Sequence, residues 1–142
     1  MADSVVTKWT GDLSFDSFVT GHHVKMDGAK EYGGNDTGPR PKPLLLAALA
    51  GCSGMDIVSI LNKMQVKNFS FEIEAEGDST DEHPVVYHTI RVFFKFSGNN
   101  LPQDKVVKAV RLSTEKYCGV NDMLKKAADV IVKIFINDIE VS

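Results

Sequence analysis

The alternation of apolar and polar positions divides the chain into three stretches, 1–38, 39–66 and 67–142. In the first, short alternating segments run from Val5 to Trp9, Leu13 to Val19 and His23 to Met26, separated by Gly11, Gly21 and the pair Asp27-Gly28. A period of two bounded by turn residues predicts a strand-rich meander, with Asp27-Gly28 as a tight turn. Gly33 to Gly38 is a loop by composition, and the alternate prolines Pro39, Pro41 and Pro43 favour an extended backbone. Pro43 then suits the first position of a helix, where its missing N–H is no loss.

That helix is expected from Leu44 to near Gln65. Its first half, Leu44 to Ala50, is apolar all round, which marks a buried helix rather than a surface one. Its second half sets Met55, Ile57, Val58, Ile60 and Leu61 against Asp56, Asn62 and Lys63. Two strands follow, Phe69–Ala75 and Val86–Phe96, joined by a loop over Gly77–Pro84, and their adjacency predicts an antiparallel pair. The second strand puts Ile90, Val92, Phe94 and Phe96 on one face, with Arg91 and Lys95 on the other, where Phe93 interrupts the polar pattern. Further on, Pro102 opens a helix carrying Val106, Val107, Ala109, Val110 and Leu112. Tyr117 to Val120 breaks it, Asn121 is placed to cap a short helix to near Ala128, and Val130–Ile136 is a β-branched closing strand. Strands and helices in blocks give an α+β class: antiparallel sheets around one central buried helix, in one domain spanning 1–142.

Composition narrows the function. A chain of 142 residues that is 43% hydrophobic can bury a core without disulfide staples. Its net charge of −3, with Lys25, Lys30, Arg40 and Lys42 scattered, argues against a nucleic-acid footprint. Met1–Thr10 has Asp3 and no apolar core, unlike a signal peptide. The apolar run Leu44–Ala50 is closed by Gly51-Cys52-Ser53-Gly54 and Asp56, short of the roughly 20 residues of a spanning helix. The expectation is a soluble cytoplasmic protein with no membrane segment.

Candidate chemistry rests on two cysteines, Cys52 and Cys118. In a reducing compartment a structural disulfide is not expected, and without C-x-x-C or paired-histidine spacing neither is a structural zinc site. Two small buried hydrophobes are the plain alternative. Cys52 lies among Ala50, Gly51, Ser53 and Gly54, whose small side chains let a substrate or a packed element approach the sulfur. Cys118 stands at the helix break, where the N-terminus of the next helix favours a thiolate. Asp56 lies one turn after Cys52 on the same face. It is either a surface aspartate or a group that orients a cation such as Arg40 or a lysine.

Two segments carry a family resemblance. Gly33-Gly34-Asn35-Asp36-Thr37-Gly38-Pro39-Arg40-Pro41 with Leu44-Leu45-Leu46-Ala47-Ala48-Leu49-Ala50-Gly51-Cys52 resembles the segment around the first cysteine of OsmC/Ohr proteins, the osmotically inducible and organic hydroperoxide resistance proteins. Leu112-Ser113-Thr114-Glu115-Lys116-Tyr117-Cys118 resembles the segment around their second cysteine, and His83-Pro84 and the order of elements are similar too.

The resemblance implies a thiol peroxidase with no metal, haem or other cofactor. It also implies an intertwined homodimer, with helices central, sheets outside and both sites at the interface. Carried over, Cys52 is the peroxidatic thiol, Cys118 the resolving thiol, an organic hydroperoxide the substrate and a lipoyl or thioredoxin-like dithiol the reductant. The family's N-terminal arginine and pre-helix carboxylate are not matched: no arginine precedes Arg40, and Lys42 or Pro43 stands in the carboxylate's place. This marks a divergent branch. Arg40 with Glu31 is the nearest substitute pair, and Lys42, His22 or His23 are alternatives. A non-catalytic redox sensor or hydrophobic small-molecule binder is the main rival reading, followed by a cysteine hydrolase or transferase and by a structural dimer module.

Overall fold

The computed structural model describes residues 2–142, so Met1, which opens the stretch read above as unlike a signal peptide, lies outside the described residues. The chain forms two compact units, Met1–Leu45 and Leu46–Ser142.

The first unit is a three-stranded antiparallel meander of β1 (Val6–Gly11), β2 (Ser14–Val19) and β3 (His22–Met26). Its two tight turns fall at Asp12-Leu13 and Thr20-Gly21, and Gly11, Asp12, Thr20 and Gly21 have positive φ. Such turns match the right-handed twist of the strands they join. Asp27-Gly28 is not a hairpin turn, contrary to expectation. Asp27 is buried, and its carboxylate accepts hydrogen bonds from Gly28 N at 2.7 Å, Thr37 N at 3.1 Å, Asn35 N at 3.3 Å and Thr37 Oγ1 at 2.6 Å. The carboxylate therefore organises the Gly-rich loop from its centre. Gly34 is obligatory there, since a Cβ would lie 2.1 Å from the Gly28 carbonyl oxygen.

The second unit begins within α1 (Leu44–Lys63) and continues with β4 (Phe69–Ser79), β5 (Tyr87–Gly98), α2 (Gln103–Leu112), a π-turn over Ser113–Tyr117, α3 (Gly119–Leu124), β6 (Asp129–Ile136) and β7 (Ile139–Glu140). The sheet order is β4-β5-β6-β7. β4 and β5 form the expected antiparallel pair, but β6 lies parallel to β5. The sheet is therefore mixed rather than antiparallel throughout. A parallel neighbour needs a long crossover, and α2, the π-turn and α3 supply it.

Ile90, Val92, Phe94 and Phe96 of β5 fill the core with Val106, Ala109 and Val110 of α2, Ile134 of β6, and the α1 stripe Leu49, Ile57 and Leu61. Phe71 stacks on Phe96 with ring centroids 4.8 Å apart. The opposite sheet face is charged: Arg91 holds Asp78 through two bonds, of 2.7 and 2.9 Å, and Glu76 at 3.1 Å.

α1 corrects the sequence reading. It buries Leu49, Ser53, Ile57 and Leu61, one residue every four, and leaves Leu45, Met55 and Val58 exposed, Met55 by 77%. In a single chain the helix is buried on one stripe and not all round, because the sheet and α2 cover only that side. At 20 residues and a mean hydropathy of 2.0 it is also long and apolar enough to cross a membrane, more so than the run Leu44–Ala50 suggested. Its buried stripe nevertheless belongs to the same core cluster as β5 and α2, as in a core helix.

Candidate functional site

The second unit brings three of the expected residues together. Cys52 and Asp56 stand one turn apart on α1, and Cys118 enters from the end of the π-turn. The two sulfurs and an Asp56 carboxylate oxygen all lie within 4.8 Å of one another. Both cysteines are free thiols; Cys52 is partly exposed and Cys118 is 3% exposed.

The π-turn sets the position of Cys118. Its backbone N–H bonds the Ser113 carbonyl five residues back at 2.8 Å, one residue beyond the α-helical partner. Such single wide turns bulge a helix and are frequent at functional sites. Cys118 itself, not Asn121 as expected, caps α3: its sulfur accepts the Asn121 backbone N–H at 3.4 Å. Asn121 lies inside α3, and its side-chain amide N–H₂ donates to the Thr114 carbonyl, tying the cap to the turn before it. The Asn121 Oδ1 atom is buried and has no partner among the described residues.

Three hydroxyl contacts complete the site. Ser53 Oγ donates to Cys118 Sγ at 3.4 Å. Ser113 Oγ donates to Asp56 Oδ2 at 3.1 Å and lies 3.4 Å from the Ser53 carbonyl. Burial pushes the Cys118 thiol above its ordinary value. The Ser53 and Asn121 hydrogen bonds oppose that rise, and the adjacent Cys52 adds to it.

Two hollows flank this centre. One of about 480 Å³ is lined by Asp56, Ile60, Lys63, Met64, Leu112 and Tyr117. The other, about 710 Å³, lies over Gly51, Gly54, Met55, Val58, Phe71 and Ile73 on a further face of α1.

The remaining expected residues belong to the first unit. Arg40 pairs with Asp36 at 2.8 Å and donates to the Gly38 carbonyl at 2.9 Å, so the Arg40–Glu31 pair is replaced by a local one. Glu31 is exposed on a short 3₁₀ turn, Lys30–Tyr32. His22 and His23 are exposed on β3, and His23 Nδ1 lies 2.7 Å from Asp16 Oδ2. Sequence reasoning missed Ser113 and the hydroxyl role of Ser53, since a π-turn has no residue signature and neither serine sits at a helix N-cap, where a serine is expected.

Known proteins agree with this architecture. The sequence model of the family described as OsmC-like protein matches residues 33–133. Protein YhfA of Escherichia coli is 36% identical over 124 residues, covering 87% of this chain and 90% of that protein. A hypothetical protein from Aquifex aeolicus superposes with a TM-score of 0.84 at 25% identity, over 96% of this chain and 97% of that one. The organic hydroperoxide resistance protein OhrB of Bacillus subtilis shares the fold with a TM-score of 0.62 at 18% identity, over 94% of this chain and 98% of its own. The motifs around Cys52 and Cys118, the mixed α+β fold and these matches agree: the chain belongs to the OsmC-like protein family, in a divergent branch with YhfA.

Proposed function

We propose that the protein reduces organic hydroperoxides with its two thiols, in the cytoplasm and as a homodimer. The observation that carries this reading is the convergence of the Cys52 and Cys118 sulfurs, within 4.8 Å, from segments 66 residues apart in sequence. Family membership supports a redox, peroxide-related role.

The chemistry assigns each sulfur a step. The more exposed Cys52 thiolate attacks the distal peroxide oxygen; the O–O bond breaks, and the alkoxide takes a proton and leaves as the alcohol. Cys52 is now a sulfenic acid. Cys118, held protonated by burial until then, loses its proton and attacks the Cys52 sulfur. Hydroxide leaves as water and a Cys52–Cys118 disulfide forms. A dithiol of lipoyl or thioredoxin-like type restores both thiols by exchange and is itself oxidised. The hollow lined by Ile60, Met64, Leu112 and Tyr117 offers an apolar organic group burial that hydrogen peroxide cannot use.

The test is intact mass and free-thiol titration after one equivalent of cumene hydroperoxide, on wild type, Cys52→Ser and Cys118→Ser. The wild type should lose both thiols, and Cys118→Ser should accumulate a sulfenic acid on Cys52. A wild type that keeps both thiols under excess peroxide overturns the reading, and the apolar hollow is then tested as a small-molecule site.

A further inference from the structure

We propose that the reduced site binds one thiophilic divalent cation of the zinc class, held by Cys52 Sγ, Cys118 Sγ and an Asp56 carboxylate oxygen. The three ligand atoms already lie within 4.8 Å of one another. A tetrahedral zinc ion, with bonds of about 2.3 Å to sulfur and about 2.1 Å to oxygen, needs ligand atoms about 3.5–3.8 Å apart. Closure by about 1 Å therefore completes the triangle.

The surroundings favour a cation over an empty triangle. Two sulfurs and a carboxylate, all electron-pair donors, lie together, and the Ser113 hydroxyl that Asp56 holds is a neutral donor. That bond helps to fix the carboxylate. Ser53 Oγ and Asn121 N both donate to Cys118 Sγ. Outer hydrogen bonds of this kind orient ligands and steady charge on them. The framework is also rigid: Cys52 and Asp56 ride one helix at i and i+4, and the π-turn fixes Cys118.

Ligand chemistry sets the class of ion. Two thiolates select zinc and its softer neighbours over magnesium or calcium, which prefer oxygen. Three protein ligands leave a fourth position open, and Asp56 also lines the 480 Å³ hollow from which water or a small ligand can enter. Binding displaces one proton from each thiol to solvent and involves no electron transfer. It does not rest on peroxide reduction, although both would use the same sulfurs: a Cys52–Cys118 disulfide removes two of the three ligands.

The experiment titrates the reduced, metal-free protein with zinc against a chromophoric chelator. A parallel titration with cobalt(II) follows the thiolate-to-cobalt charge-transfer band. One equivalent per chain is expected. Asp56→Asn should weaken binding at least about tenfold, and Cys52→Ser or Cys118→Ser by more than that and with a diminished charge-transfer band. Circular dichroism checks that each variant is folded; if Asp56→Asn is not, the stoichiometry and tetrahedral cobalt spectrum of the wild type decide. Absence of stoichiometric uptake by the wild type overturns the inference, as does equal affinity in a folded Asp56→Asn. A chain that consumes peroxide but takes up no zinc refutes this inference alone. A chain that binds zinc stoichiometrically but keeps both thiols under peroxide supports it and refutes only the peroxidase reading.

Discussion

At the scale of single residues, two buried polar side chains, Asp27 and Asn121, organise the segments in which they lie. Asp27 is the stronger device: the Thr37 hydroxyl and the loop N–H groups pull its carboxyl down to about 2 from 3.8. A lowered folded value means stability that is present above the unfolded value and lost as pH falls through the folded one. Amide protection of Gly28, Asn35 and Thr37, corrected for intrinsic exchange, should hold at neutral pH and collapse between about pH 4 and about pH 2. In Asp27→Asn the same amides should be weakly protected at every pH. Asn121 plays the equivalent part beside the thiols. Asn121→Ala leaves the Thr114 carbonyl without its side-chain donor and should cost about 1–3 kcal/mol in urea denaturation, with slower closure of the disulfide. Cys52, Cys118 and Asp56 were legible from the sequence, two by motif and one by helical spacing. The Asp27 cradle, the Ser113 contact and the true cap of α3 were not, because each depends on a backbone path that no residue pattern encodes.

At the scale of elements, period and punctuation located almost every strand and helix. The helix over Leu44–Lys63, the β4–β5 pair and the strand expected over Val130–Ile136 stand where the apolar pattern put them, although β4 runs on to Ser79, into the expected loop, and β7 follows β6. What the pattern could not supply was pairing. Val130–Ile136 reads the same as a parallel or an antiparallel neighbour, and only the path of α2, the π-turn and α3 settles that β6 runs parallel to β5. Nor does periodicity say which apolar face of α1 is used inside one chain. The structure assigns it to Leu49, Ile57 and Leu61, which makes a direct prediction. Leu61, fully buried among the core residues, should lose about 2–5 kcal/mol on substitution by alanine, through lost transfer energy and the cavity left behind. Guanidinium denaturation monitored by far-ultraviolet circular dichroism measures it, and a loss below about 1 kcal/mol would mean that α1 is not anchored in the core as described.

At the scale of the whole molecule, the apolar surface left uncovered bears on the proposed assembly. Within α1, Leu45, Met55 and Val58 are exposed; on the three-stranded sheet, Trp9, Phe15 and Phe18 are exposed as well, Trp9 by 67%. A soluble monomer does not normally leave so many large apolar side chains in water, and such surface marks an interaction site. The hollow over Gly51 and Gly54 also presents Met55, Val58, Phe71 and Ile73, an apolar surface on α1 and β4. The sequence pattern, apolar all round in the first half of α1, is thus consistent with burial that one chain alone does not provide. The homodimer proposed above would cover these surfaces. Sedimentation equilibrium should return twice the 15.6 kDa of the chain at micromolar concentration. Met55→Asp puts a charge where the helix has no neighbour of its own and should leave the monomer folded, since the side chain is 77% exposed. In a dimer it buries that charge without a partner, so it should shift the protein towards 15.6 kDa. A wild type that sediments as a single chain at every concentration would instead leave the uncovered face of α1 to a different occupant.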